Sequence, residues 1–484
     1  MREPGHGAAH SAHVVETHIS VLVFIGDRVY KLRKPVRYDF LDFTDRPVRE
    51  ADCRREVELN RRLAPDVYLG VADVVMNGEP MDHMVVMRAL PEARRLATLV
   101  RGEADTGALI VDVAKTLVRF HGGARRAPVI SATATPGVLR SQWEGNFSEV
   151  DRFVGPVLDP VVEEEIRALA VRWLGRNAAL LGERIAHGWV CDGHGDLQAE
   201  DIFCLDDGVR ILDCIEFSDE LRYGDVCADV AFLAMDLERL GRPDAAAGFV
   251  AAYESECGER FPAPLLDFYI AQRAYVRAKV ACLSDEQGVT GAGGAARQLH
   301  LLALGHLRRA RHVLLLVGGL PGTGKSTLAR RLSDETGWAL LRTDEVRREL
   351  ELGDDRYAPE AVAAVYDELL RRARDLLDAG ASVVLDASWV GDDQRAAAAK
   401  TAQEGGAELA ELCCTCDDAV AAARIGERLE KGKDASEATE AVRRAMAASM
   451  DPWPAAVVVD TSRDGAADLA ATALRALAGL GPIG

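Results

Sequence analysis

The chain has 484 residues, enough for two or three domains. Its 48% hydrophobic and 28% charged content fits a soluble globular protein and excludes fibrous and disordered classes. A formal charge of −19, from 58 basic against 77 acidic residues, disfavours nucleic-acid and anionic-membrane partners.

From the start, Met1 to His13 has no apolar core and does not read as a secretory signal. His6, His10 and His13 are expected in a disordered lead-in, with a metal role as the alternative. No apolar run approaches a membrane span, so the expected location is the cytoplasm. His18 to Phe24 and Arg28 to Leu32 read as strands joined at Gly26-Asp27, with Lys31 on the second. Phe40 to Phe43 reads as a loop, and Arg46 to Leu63 as an amphipathic helix carrying Glu56 and Glu58 and stopping at Ala64-Pro65. Tyr68 to Met76 and Met81 to Met87 form another hairpin pattern around Asn77-Gly78. Helical patterns then dominate: Ala108 to His121, Val161 to Ile185, Asp229 to Leu240, Ala245 to Cys257 and Leu265 to Leu283.

One non-helical island interrupts them, running from Val190 to Phe217. It contains His194-Gly195-Asp196, then Asp201 five residues after Asp196, then Asp213 twelve further on at a strand end. An acidic surface loop is one reading. The other is a set of oxygen ligands and a base arranged for phosphoryl transfer, where metals and a lysine neutralise growing charge. The island resembles the catalytic loop and metal segment of the kinase-like aminoglycoside and choline phosphotransferases, whose pattern is HGDxxxxN followed by an Asp. That resemblance implies that Asp196 accepts the proton of a substrate hydroxyl and that Asp201 and Asp213 hold Mg²⁺. It also implies that Lys31 contacts nucleotide phosphates with Glu56 as its helix partner. Asp201 stands where that family has Asn, and the first hairpin has no glycine-rich phosphate loop. His121 is expected to cap a helix or sit in a core, and Asp225 and Asp229 resemble an Asp that supports the catalytic loop; N-capping alone would explain Asp225.

Gly288 to Gly294 breaks the chain, a helix from Ala296 to Arg311 follows, and short apolar strands then alternate with helices. The strands are Val313 to Val317, Ala339 to Arg342, Ser382 to Asp386, Ala410 to Thr415 and Ala455 to Asp460. The expected organisation is therefore a kinase-like domain at 14–310, with a small sheet lobe and a helical lobe, and a doubly wound parallel-sheet domain at 311–484. After the first of these strands comes Gly318-Gly319-Leu320-Pro321-Gly322-Thr323-Gly324-Lys325-Ser326-Thr327, the pattern GxxxxGK[ST] between strand and helix. Glycines let backbone amides wrap a phosphate; Lys325 reaches the outer phosphates and Ser326 offers a hydroxyl to Mg²⁺. Acids at strand ends follow: Asp386 as a magnesium-side carboxylate, and Asp344 as a base, or alternatively a plain N-cap, with Arg347 as an anion grip. Arg424 and Arg428 lie four apart on one helix face, as lid arginines closing on phosphates or as a solvated face paired with Glu427 and Glu430; Arg443 and Arg444 follow. Of the ten cysteines, only Cys413-Cys414-Thr415-Cys416 cluster, and they read as structural thiols in a buried strand, with metal binding as the alternative. The segment resembles the small P-loop kinases of the gluconate, shikimate and zeta-toxin type.

Together the two resemblances imply a bacterial two-domain fusion acting as an ATP- and Mg²⁺-dependent phosphotransferase on a small hydroxylated metabolite. Two alternatives stay open: a binding or regulatory N-terminal domain beside an active P-loop kinase, and a nucleotide switch without phosphoryl transfer. The overall charge points, weakly, to a cationic acceptor.

Overall fold

The structure, a computed structural model, describes residues 13–17, 19–38, 41–102, 105–350, 358–378, 380–431 and 439–462. It divides into two units, Met1–Phe261 with Leu266–Arg308, and Pro262–Leu265 with Arg309–Gly484.

The first unit opens with a five-stranded antiparallel sheet in the order His13–Glu16, Ser20–Ile25, Arg28–Arg33, Glu79–Arg88, Tyr68–Met76. His13 is thus an edge-strand residue paired with Phe24, not part of a lead-in, while His6 and His10 lie outside the described residues. That strand is exposed along its whole length, so no hydrophobic alternation marks it in the sequence. Asn77 and Gly78 both have positive φ, as a type I′ hairpin turn requires. Strand Arg28–Arg33 buries every second residue, so Val29, Lys31 and Arg33 all face the helix Arg46–Asn60. Val29, Val85 and Met87 pack there against Cys53 and Val57 of that helix. Two charged groups on an otherwise apolar face demand buried partners.

Helices make up most of the rest of this unit. The helix expected over Val161 to Ile185 is two, Pro160–Arg176 and Ala178–Ala186. At the break, Asn177 donates through its side chain to the Trp173 carbonyl at 2.9 Å, closing the first helix. Helix Val226–Arg239 is buried on all sides for its first three turns, yet it carries Asp229 and Asp236. Such acids persist only where donors surround them.

The second unit is a five-stranded parallel sheet in the order Ala339–Arg342, Val383–Asp386, Val313–Gly318, Glu408–Thr415, Val457–Asp460. The central strand Val313–Gly318 is wholly buried. Leu314 and Leu316 pack on one face with Val365 and Leu369, and Val313, Leu315 and Val317 on the other with Leu328 and Leu332. Helices on both faces explain the uninterrupted apolar runs. Among the described residues no helix is long and apolar enough to cross a membrane.

Candidate active sites

In the first unit Lys31 reaches two carboxylates. Its Nζ donates to Glu56 Oε1 at 2.8 Å and to Asp213 Oδ1 at 2.6 Å, joining strand, helix and the acidic island. Burial alone would lower the lysine's pKa, but Asp213 and Glu56 outweigh it and hold the ammonium charged well above its usual range. Lys31 in turn is the main cause holding the Asp213 carboxyl below its usual value. Asp213 has φ +62°, a left-handed conformation that few side chains adopt.

Two residues beyond Lys31 on the same face, Arg33 completes the cluster. It donates to Asp52 at 2.6 Å, to Glu56 Oε2 at 2.7 Å, to Ser20 at 2.9 Å and to Glu216. Sequence reasoning missed Arg33, Asp52 and Glu216, although the period-two alternation from Lys31 to Arg33 was a usable signal. Asp52, Glu56 and Glu216 bring carboxylate oxygens within 4.8 Å of one another, a spacing that suits a metal. Arg33 bonds all three, so a guanidinium already fills that space. Burial, with Glu56 and Asp52 nearby, pushes the Glu216 carboxyl up to about 8.

Asp196 and Asp201 come to the same place. Burial raises the Asp196 carboxyl, and Gln198 Nε2 donates to it at 3.0 Å. Burial and the Asp213 and Asp196 charges raise Asp201 well above its usual value. The Leu212 amide donates to the Asp201 carbonyl at 2.9 Å, fastening the two acid-bearing segments together. Asp196, Asp201 and Asp213 act on one another electrostatically, but among the described residues only Asp52, Glu56 and Glu216 bring carboxylate oxygens within 4.8 Å of one another.

The loop is held from behind. Asp229 accepts the amides of His194 at 2.7 Å and Gly195 at 2.9 Å, and His121 Nε2 lies 3.2 Å from it. Burial alone would raise Asp229, but His121 and the His194 amide outweigh it and keep the carboxyl well below its usual range. His121 is therefore a core residue, its Nδ1 paired with the Tyr253 hydroxyl at 2.8 Å. Asp236 accepts the Ala199 amide at 2.9 Å further along the loop. Asp225 caps its helix through Cys227 N at 2.9 Å and also takes a two-pronged bond from Arg184 at 2.8 and 2.6 Å, so capping is half of its role. Gly195 has φ +87°, and a Cβ there would lie 2.9 Å from the Leu221 carbonyl.

The ends of the connection between strands His13–Glu16 and Ser20–Ile25 are bonded to each other. Thr17 N donates to the Ser20 carbonyl at 2.8 Å and Ser20 N donates back to Thr17 Oγ1 at 3.0 Å. The sequence holds no glycine between Thr17 and Ser20.

In the second unit the loop after Val313–Gly318 turns through Gly319, Gly322 and Gly324, with φ +132°, +85° and +80°. A Cβ on Gly319 would lie 2.4 Å from the Cys414 carbonyl, and one on Gly322 2.7 Å from the Ala421 carbonyl. Thr323 Oγ1 donates to the Leu320 carbonyl at 2.8 Å, and Pro321 is buried beneath the loop. Helix Lys325–Thr336 starts directly after Gly324, so Lys325, Ser326 and Thr327 occupy its first turn. Asp386 pairs in register with Val317 at the mouth of the loop. Its Oδ2 accepts Arg342 Nε at 2.9 Å, while its buried Oδ1 has no hydrogen-bond partner among the described residues. An orphaned buried carboxylate oxygen beside a glycine cradle is a place for a cation or its water.

Asp344 does not cap helix Thr343–Glu349; Arg342 takes the cap position, and Asp344 accepts from Arg347 Nη1 at 2.8 Å. Arg424 lies against the glycine loop, donating to Thr461 O at 2.8 Å and Thr461 Oγ1 at 3.1 Å, with the Gly322 carbonyl at 3.5 Å. The side chain of Arg428 falls outside the described residues. Arg443 pairs with Asp418 at 2.5 Å and Arg444 with Glu440 at 3.3 Å. Cys413 and Cys414 are buried in the strand and Cys416 half-buried; burial pushes the Cys414 thiol up to about 12.

A family model described as Phosphotransferase enzyme family matches residues 26–265, and one described as AAA domain matches residues 314–453. An uncharacterized protein of Mycobacterium tuberculosis (strain H37Rv) is 40% identical over 461 residues, which is 93% of this chain and 92% of that protein. An uncharacterized protein of Mycobacterium bovis matches to the same extent. Among solved structures, a choline/ethanolamine kinase family protein from Mesorhizobium loti aligns with 62% of this chain and 94% of its own, at 15% identity and TM-score 0.40. A sugar kinase from Janibacter sp. aligns with 35% of this chain and 94% of its own, at 21% identity and TM-score 0.27.

Proposed function

This chain belongs to the family of those mycobacterial proteins, a fusion of a kinase-like phosphotransferase domain with a P-loop kinase domain, and from that premise we propose that it carries two separate ATP-dependent phosphotransferase sites. The observation that carries the reading is Lys31 held between Glu56 and Asp213 beside Asp196 and Asp201. Lys31 is shared by two carboxylates with two further acids close by, a concentration of oxygen ligands that suits a hard cation.

In the first site Asp201 and Asp213 would hold magnesium, which when bound neutralises charge on the transferring phosphoryl group. Lys31 offers its ammonium to the nucleotide phosphates and Glu56 keeps it aimed. Asp196 takes the proton of the acceptor hydroxyl; its raised proton affinity suits it to that role. Asp229, through the amides of His194 and Gly195, fixes the loop that bears Asp196. With no glycine between Thr17 and Ser20, phosphate binding here falls in this reading on Lys31 and the acids rather than on loop amides.

In the second site the amides from Gly319 to Thr327 and the Lys325 ammonium bind the polyphosphate. Ser326 and the free oxygen of Asp386 would hold magnesium. In this reading Asp344, bound to Arg347, orients or deprotonates a hydroxyl, and Arg424, beside the Gly322 carbonyl, stabilises charge over the loop. Arg428 joins it only as a position on the same helix. The acceptors are small hydroxylated metabolites, and the reactions belong in the cytoplasm.

ATP turnover by wild type, Lys325→Ala and Asp196→Ala across a panel of sugars, polyols, hydroxy acids and amino alcohols tests the reading. Each variant is expected to lose one acceptor-stimulated activity and keep the other. If Asp196→Ala changes no activity, the first unit is a binding module, a reading the missing glycine cradle favours. If no acceptor stimulates turnover in the wild type, the nucleotide-switch reading gains.

A further inference from the structure

A cavity of about 580 Å³ opens in the first unit between helix Arg46–Asn60 and the end of helix Gly107–Gly123. None of Lys31, Glu56, Asp196, Asp201 and Asp213 lines it, so it is separate from the candidate active site. Its charged wall sets Arg55, Arg62, Arg119 and Arg125 against Glu58 and Asp192. The two acids do not cancel the arginines. Glu58 is taken by Arg55 at 2.9 Å, and the buried Asp192 already accepts Nε of the buried Arg222 at 2.6 Å. In a chain of net charge −19 this is a concave surface of the opposite sign, and a cleft lined by one sign focuses its field.

The arginines differ in what they have left to offer. Arg62 has all five N–H groups engaged. Its Nε donates to the Leu59 carbonyl at 3.0 Å, its Nη1 to the Asp192 carbonyl and carboxylate at 3.1 Å each, and its Nη2 to the Gly193 carbonyl at 2.9 Å and Cys214 Sγ at 3.1 Å. It is a fixed charge in the wall. Arg119 pairs with no acid among the described residues and donates only to Thr116 Oγ1, at 3.4 Å. Arg125 gives Nη2 to the Tyr223 hydroxyl, and its Nε stands 3.9 Å from Asp192, beyond a hydrogen bond. Guanidinium forks with donors to spare match the oxygens of a phosphate ester. The volume falls among small-molecule sites, about 300–1,000 Å³, and exceeds what a bare ion fills; Leu59 and Phe120 supply an apolar wall for an organic body.

We propose that this cavity is a second ligand site of the first unit: it takes a phosphate monoester of a small organic molecule on Arg119 and Arg125 and thereby steadies the catalytic loop. The link is short. The Arg125 carbonyl accepts the Asp192 amide at 2.9 Å, and Arg62 holds the carbonyls of Asp192 and Gly193, directly ahead of His194-Gly195-Asp196. Ordering the arginines therefore restrains the backbone that leads into Asp196. Binding at the cavity does not depend on Asp196 being catalytic.

The test is calorimetric titration of the full chain, loaded with magnesium and a non-hydrolysable ATP analogue, at about 0.15 M ionic strength. The probes are glucose 6-phosphate and glycerol 3-phosphate, with glucose and glycerol as their neutral counterparts. At least one ester is expected to bind with Kd below about 1 mM, and neither neutral compound to bind. Arg119→Met and Arg125→Met should each weaken the ester about tenfold or more. Arg152→Met removes the same charge at an exposed position outside the cavity wall and should leave Kd within about twofold. Bound ester should also slow hydrogen exchange at residues 192–196 in the wild type and not in Arg119→Met. The proposal is overturned if neither ester binds below about 1 mM, or if Arg152→Met weakens binding as much as Arg119→Met. It is equally overturned if Asp196→Ala abolishes binding while Arg119→Met does not, because the ester would then lie in the candidate active site. Binding without slower exchange at residues 192–196 overturns the link to the loop.

Discussion

Asp229→Asn isolates the brace behind the catalytic loop. The carboxylate accepts the His194 amide at 2.7 Å on one oxygen and the Gly195 amide at 2.9 Å on the other. Asparagine offers one acceptor oxygen and turns the other position into a donor. One buried amide then faces a donor and loses its partner, at about 1–3 kcal/mol, and the surviving bond loses its charge assistance, about 1 kcal/mol more. The sum, about 2–4 kcal/mol, lowers the cost of local opening and speeds hydrogen exchange at residues 193–196 roughly 30- to 700-fold. The assay is hydrogen–deuterium exchange on peptides spanning the loop, with Asp225→Asn as control. That change disturbs Arg184 and Cys227 and is expected to leave His194 and Gly195 protected. The pH dependence has a definite sign. The folded-state carboxyl sits below its unfolded value, so its stabilisation is present above the usual carboxylate range, about pH 4, and fades as pH falls through the lower folded value. Exchange at the two amides that stays within threefold of wild type would refute the brace.

Gly319→Ala places a Cβ 2.4 Å from the Cys414 carbonyl, so calorimetry should show magnesium-ATP binding lost at the P-loop while the first site still titrates. Retained binding at both sites contradicts the cradle. Arg342→Met strands Asp386, which is 4% exposed, and should destabilise the second unit by about 3–5 kcal/mol in calorimetric unfolding. A double change to Arg342→Met with Asp386→Leu should recover much of that loss, and a double variant as unstable as the single would contradict the pairing. Glu216, raised to about 8, holds its proton more firmly folded than unfolded; its contribution is full below the unfolded value, about pH 4.3, and is lost as pH rises through about 8. The first unit should therefore lose stability over that window, and Glu216→Gln should flatten the slope; an unchanged slope rules the explanation out.

The sequence shows the second unit's sheet plainly because each strand is a short apolar run buried on both faces, as Leu314 to Leu316 illustrate. Its glycine loop is legible for a different reason: the backbone conformation at Gly319, Gly322 and Gly324 excludes other residues, so the physics is written in residue identity. Lys31, Glu56 and Asp213 were found by spacing and resemblance. Their bonds were not, since Lys31 and Asp213 stand 182 residues apart. Arg33 and Glu216 escaped notice because a buried arginine looks like any surface arginine until the acids around it are placed. Strand His13–Glu16 was invisible for the opposite cause, having no buried side to impose alternation. Arg342 beside Asp386 depends wholly on which neighbours the fold supplies.

The central claim is that one chain holds two independent nucleotide sites, one built on Lys31 and one on Lys325. Calorimetric titration of the intact protein with magnesium and a non-hydrolysable ATP analogue measures it directly. The account predicts two equivalents bound, one after Lys31→Met and one after Lys325→Ala. A wild-type protein that binds a single equivalent, abolished by Lys325→Ala and untouched by Lys31→Met, would contradict it.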